Sequence, residues 1–178
     1  MADSNITKKA LASALKVLMQ QKPFDKISVG DICEQCDMNR KSFYYHFRDK
    51  YDLVNWIFDT EFIAASAKNQ CTEPWEWYIN ICKYFYDNKS FYRKALKITG
   101  QNSFCDHFRE MLFAVIANRF DEITGYKNVH QFQSSFFTDA IVMAVQRWII
   151  EDTEMSDTEF IEKTRQCIEL VVDNYDKL

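Results

Sequence analysis

Glycine and proline are scarce, at three and two in 178 residues. So few turn formers favour long helices over strands and hairpins. No apolar run approaches the ~18 residues that a membrane helix needs, and the N-terminus lacks the apolar block of a signal peptide. A cytoplasmic protein with no membrane partner is therefore expected. The six cysteines follow no framework, and in a reducing compartment they stay thiols. No glycine-rich phosphate loop and no suitably spaced carboxylate pair is present. Cys105, Asp106 and His107 are consecutive on a helix and so point in different directions, which excludes a nucleophile–base pair. His130 stands alone. No enzyme activity, cofactor or metal site is expected.

Positive charge is also short, with a formal net charge of −4, which argues against a nucleic-acid binder until the chain is divided. Residues 1–50 hold 9 Lys and Arg against 6 Asp and Glu, a net of +3, while the remainder holds 13 against 20, a net of −7. The basic excess is local, as for a DNA-reading head on an acidic body.

That basic part contains the most ordered pattern in the chain, residues 27–52. Ser28 with Asp31 reads as an N-cap and its reciprocal acid, Asn39 as a second cap, and Asp49 with Asp52 as a third. Between the first two, Asp37 stands where the chain must turn through a left-handed residue. Two short helices about a tight turn make a helix-turn-helix. Val29, Ile32, Cys33 and Cys36 form the inner side of the first helix, with Met38 packing from the turn. Phe43 and Phe47 anchor the second. Its outer side shows Arg40, Lys41, Ser42, Tyr45 and His46, the donors and acceptors that a major groove engages.

The pattern resembles the DNA-binding domain of the TetR family. Val29, Asp31, Ile32, Met38, Ser42, Tyr44, His46, Phe47, Lys50 and Leu53 match its signature without gaps. Cys33 and Cys36 replace two small alanines, Asp37 the turn glycine and Phe43 a leucine. Base contacts are expected from Arg40, Lys41, Ser42 and Tyr45, with Arg40 best suited to guanine. The resemblance implies phosphate contacts by Ser28, Tyr44, His46 and Lys50. Cys33-x-x-Cys36 has a sharper reading as a redox or zinc motif, but no second ligand pair lies nearby and both positions face the core.

The rest of the chain reads as helix throughout. A first helix over about 5–21 carries Leu11, Ala14, Leu15 and Leu18 and stops at Pro23. Lys8 and Lys9 near its start serve phosphate or plain solvation equally well, and Phe24 and Ile27 tie the following loop to the head. Further helices are expected over about 50–68, from Pro74 past Tyr86, over 91–98 to Gly100, over 103–124 to Gly125, over 128–150 and over 157–175. The expected fold is all-α with about nine helices: a head over 1–50 and a regulatory and dimerisation body over 51–178. The penultimate helix is apolar nearly all round, which demands cover on two sides. One side falls to the chain's own core and the other to a second subunit. Phe137, Ala140, Ile141, Ala144, Trp148, Phe160, Ile161, Ile168 and Val171 are the expected homodimer contacts. The alternative is a central helix wholly inside one subunit.

Aromatic residues of the body (Trp75, Trp77, Tyr78, Phe85, Phe91, Tyr92, Phe104, Phe108, Phe113) serve a packed core or an effector cavity, and no pocket residue is singled out. The segment Asn88-Lys89-Ser90-Phe91-Tyr92, the Gly100-x-x-x-Phe104 turn and the late Trp148 resemble the branch of the family that regulates dihydroxyacetone kinase operons. That resemblance implies an activator controlled by a protein co-regulator related to a dihydroxyacetone kinase subunit. A ligand-responsive repressor with a small apolar effector is the alternative. A small-molecule binder with a vestigial head and a Cys33/Cys36 redox switch are rivals of other classes. A two-fold dimer would bind a palindromic double-stranded operator with half-sites about one helical turn apart.

Overall fold

The structure, a computed structural model, describes residues 2–63, 66, 74–100, 102–124, 131–151 and 154–174. Among them are nine α-helices and no strand, the expected all-α class. Helix α1 (Ala2–Gln21) buries Leu11, Ala14, Leu15 and Leu18, and Pro23 ends it ahead of a 3-10 turn, Phe24–Lys26. Helices α2 (Val29–Gln35), α3 (Arg40–His46) and α4 (Lys50–Phe58) begin at the side-chain caps Ser28, Asn39 and Asp49. After α5 (Pro74–Asp87) and α6 (Lys89–Ala95), Gly100 turns the chain at φ 111°. A residue with a side chain rarely adopts that angle. Ser103 then caps α7 (Phe104–Thr124), its Oγ accepting from the Asp106 amide at 3.2 Å. Helices α8 (Gln131–Ile150) and α9 (Asp157–Asn174) complete the fold.

One helix differs from expectation. The helix expected over 50–68 is α-helical only to Phe58 and then widens into a π-helical turn, Asp59–Ile63. The wide turn leaves Asp59 Oδ1 2.7 Å from His107 Nε2. Residues 64, 65, 67 and 68 of its expected continuation, together with Thr72, Glu73, Gly125, residues 128–130 with His130, and Tyr175, lie outside the described residues.

The chain forms two compact units, one of 1–65 with 90–107 and the other of 66–89 with 108–178. Compactness therefore divides the chain elsewhere than after residue 50. Leu53, Val54, Ile57 and Phe58 of α4 are buried in the first unit, where the Phe58 ring meets Phe62 at 5.5 Å and Phe104 at 5.3 Å. In the second unit Phe85 meets Phe108 edge-on at 5.1 Å. There Trp148 stacks between Phe160 at 4.2 Å and Tyr86 at 5.9 Å, and its Nε1 donates to the Met155 carbonyl at 2.9 Å. Tyr78, Phe85, Phe91, Tyr92, Phe104 and Phe108 are all buried, which is the packed-core reading of the body's aromatics.

Helix α8 is less uniform than its sequence suggests. Its inward stripe is Ser134, Thr138, Val142, Val145, Trp148 and Ile149, and it includes two hydroxyls. Thr138 is buried without penalty because its Oγ1 donates to the Ser134 carbonyl at 2.6 Å. The outward side also carries large apolar residues: Phe132, Phe136 and Met143 are 75%, 60% and 54% exposed.

Candidate nucleic-acid interface

The site begins with backbone amides that a helix leaves unpaired. Ser28 Oγ accepts from the Asp31 amide at 3.1 Å, and Asp31 Oδ2 accepts from the Ser28 amide at 2.7 Å and from Lys22 Nζ at 2.9 Å. The Ser28 amide, helped by Lys22 and the Ser28 hydroxyl, holds the Asp31 carboxyl at about 2. Helix α2 then ends in a single left-handed residue, Asp37, at φ 53°. The Met38 amide donates back to the Cys33 carbonyl at 2.8 Å. The turn brings Asn39 to the start of α3, where its Oδ1 accepts from the Ser42 amide at 2.8 Å.

Helix α3 then has two unlike sides. Phe43 and Phe47 are buried at 0% and 3% exposure, and they fix the helix against the head. Arg40, Lys41, Tyr44 and Tyr45 are exposed, while Ser42 and His46 are half-buried. Tyr45 is 83% exposed, and its ring stands edge-on to His46 at 4.9 Å. The four residues expected to meet bases therefore come from one short helix, with Ser28 at the neighbouring helix start.

Lys50 stands apart from the other expected phosphate contacts. Its Nζ donates to the Phe24 and Ile27 carbonyls, both at 2.7 Å, and lies 4.4 Å from the centre of the Phe24 ring. Burial lowers the pKa of its ammonium. Helix α4 thereby latches the loop that leads into α2. This role was not legible in the sequence because the partners are backbone carbonyls 23 and 26 residues away. Lys8 likewise lies over the Phe47 and Trp56 rings, at 5.7 and 5.8 Å, while Lys9 is exposed.

Cys33 and Cys36 are ordinary packing residues. Cys33 is buried and Cys36 donates to the Ile32 carbonyl at 3.2 Å. Burial pushes both thiols up, which disfavours the thiolate that metal binding or exchange chemistry requires. His107 faces Asp59 while Asp106 accepts from the Ser103 hydroxyl at 2.7 Å, so Asp106 and His107 have separate structural partners.

In the second unit a groove of about 420 Å³ runs between α8 and α9. Of the nine expected dimer contacts, Phe137, Ala140, Ile141, Ala144, Phe160, Ile168 and Val171 line it. Trp148 does not, because at 3% exposure it is enclosed by its own unit. Phe160 is also 7% exposed and backs the groove from behind. Ile161 is half-buried outside it. The more exposed Phe132, Phe136, Met143 and Leu170 stand outside that set, and only burial distinguishes them on helices with apolar residues on several faces.

The head matches the family model of bacterial regulatory proteins of the tetR family over residues 11–57, and residues 72–170 match a transcriptional regulator C-terminal region of the same family. The chain belongs to the TetR family. It is a transcriptional regulator and not an enzyme, and its helix-turn-helix is a DNA-binding element. TetR regulators bind DNA and typically dimerise. One relative is the HTH-type dhaKLM operon transcriptional activator DhaS of Lactococcus lactis subsp. lactis (strain IL1403). It is 34% identical over 99 residues, which are 55% of this chain and 53% of the relative. The chain thus matches about half the length of that relative. A solved dihydroxyacetone kinase operon activator, DhaS, matches with a TM-score of 0.63 and 24% identity, over 97% of each chain. A TetR transcriptional regulator from Streptococcus agalactiae 2603V has a TM-score of 0.74 at 20% identity, over 94% of this chain and 96% of its own. Both structures share the fold. No helix among the described residues is long and apolar enough to cross a membrane.

Proposed function

We propose that this TetR regulator activates transcription of a dihydroxyacetone kinase operon. The 34% identity to the dhaKLM operon activator carries the reading, and a complete helix-turn-helix supports it. The regulator works in the cytoplasm as a homodimer on a palindromic operator, with α3 of each subunit in a major groove. Arg40, Lys41, Ser42 and Tyr45 meet base edges, and Ser28, Tyr44 and His46 fix the register on phosphates. Lys50 supports that register from behind, by holding the loop ahead of Ser28. The subunits join through the groove between α8 and α9 and the outward stripe of Phe132, Phe136 and Met143, with Trp148 and Phe160 bracing α8 from inside. The switching signal is a protein co-regulator related to a dihydroxyacetone kinase subunit, as the same resemblance implies.

The test is footprinting of the purified protein upstream of the dihydroxyacetone kinase genes of its own source. Reporter expression is then compared with and without those genes. A two-fold footprint and induction that needs the kinase-related protein are the expected results. An asymmetric single half-site contradicts the dimer. A metabolite that alone stabilises the purified protein and alters its operator affinity defeats the co-regulator.

A further inference from the structure

Of the glycines in this chain, Gly100 has a backbone angle that explains it, whereas Gly30 has none. Gly30 lies in the first turn of α2 with an ordinary helical backbone. Glycine there weakens the helix relative to alanine, so the reason for it lies in space. A Cβ built at Gly30 would stand 2.5 Å from Arg40 Nη2 and 3.2 Å from both Arg40 Cζ and Nε. All three nearest atoms belong to one guanidinium. It lies against the Gly30 Cα, in room that any other residue would fill.

Arg40 is exposed, and among the described residues none forms a hydrogen bond or ion pair with its guanidinium. The space at Gly30 lets the guanidinium lie across the start of α2 while its N–H donors remain open to DNA. A fixed planar fork is what bidentate recognition of a guanine requires, because a freely rotating side chain would have to be ordered on binding. We infer that Gly30 is a specificity-determining residue, which positions Arg40 for DNA recognition by leaving a slot for its guanidinium on α2. The inference rests on the base-reading role given to Arg40 above.

The experiment measures binding to the footprinted operator and to its single-base-pair variants. The proteins are wild type, Gly30→Ala, Arg40→Ala and the double variant, each with its thermal unfolding curve. Gly30→Ala is expected to melt at or above the wild-type temperature, since the atoms displaced are the end of a flexible side chain. It should nonetheless lose roughly 5- to 100-fold in operator affinity, the range of one base contact. Preference should relax at the same base pair that Arg40→Ala affects, and Gly30→Ala should cost nothing more once Arg40 is gone. Wild-type binding by Gly30→Ala overturns the inference, as does multiplication of the two losses. A melting temperature lowered by more than a few degrees also overturns it, because the Cβ would then be meeting something less yielding than a side-chain tip. If Arg40→Ala itself binds with full specificity, the base-reading role fails instead.

Discussion

Asp37 occupies a left-handed conformation at φ 53°, where the family signature has glycine. An aspartate tolerates that region better than most residues but still carries a Cβ that glycine lacks. Asp37→Gly should therefore leave stability within about 1 kcal/mol of wild type or raise it, whereas Asp37→Val should lower it by ~1–3 kcal/mol, read from urea unfolding. Lys50 separates two roles more sharply. As a latch on the Phe24 and Ile27 carbonyls, its loss in Lys50→Met should cost ~1–3 kcal/mol of head stability. The slope of log affinity against log salt should stay unchanged. A slope flatter by about one phosphate contact would instead return Lys50 to the DNA backbone. Asp31 predicts a pH window. Its carboxyl is held at about 2 by the Ser28 amide and Lys22, below the ~3.9 of an unfolded aspartate. A depressed folded value adds stability that is complete above the unfolded value and is lost as pH falls toward 2. The melting temperatures of wild type and Asp31→Asn should differ at pH 6 and converge between about pH 4 and pH 2.

At the scale of elements, α3 is a short helix that owes its position to Phe43 and Phe47. At seven residues it is too short to persist alone in water. Of its outer residues, Ser42 helps cap the helix, its Oγ donating to Asn39 Oδ1 at 3.2 Å, whereas Tyr45 projects outward. Tyr45, at 83% exposure, should be replaceable by alanine within about 0.5 kcal/mol of stability. The same substitution should cost ~1–3 kcal/mol of operator binding, measured by fluorescence anisotropy. Trp148 on α8 is the opposite case. Its ring lies between Tyr86 and Phe160 and its Nε1 bonds the Met155 carbonyl. Trp148→Ala should cost ~3–5 kcal/mol in a denaturant titration, because it opens a cavity and leaves an acceptor unpaired.

For the whole molecule, the outward stripe of α8 bears on assembly. Phe132 and Phe136 stack at 6.5 Å on a face their own unit leaves open. Each apolar side chain buried in a subunit contact contributes ~1.5–3 kcal/mol. Phe132→Ser with Phe136→Ser should therefore weaken the dimer by roughly a hundredfold or more. Sedimentation equilibrium reads the dissociation constant directly, and melting of the second unit should change little. A doubly substituted protein that still sediments as a tight dimer would place the subunit contact elsewhere.

The sequence by itself determined the all-α class, the three caps of the head, the left-handed Asp37 and the buried pair Phe43 and Phe47. The class follows from the scarcity of glycine and proline, and the rest depends on residues no more than four or five positions apart, where spacing along a helix fixes geometry. Only the tertiary structure decided what Lys50 holds, why Gly30 is a glycine, and which side of α8 faces outward. Lys50 meets carbonyls more than 20 residues away and Gly30 meets the tip of Arg40. Helix α8 has apolar residues on several sides, with a threonine inside whose hydroxyl bonds within the helix itself. Period alone cannot orient such a helix, because its inward and outward stripes differ in what packs against them more than in hydrophobicity.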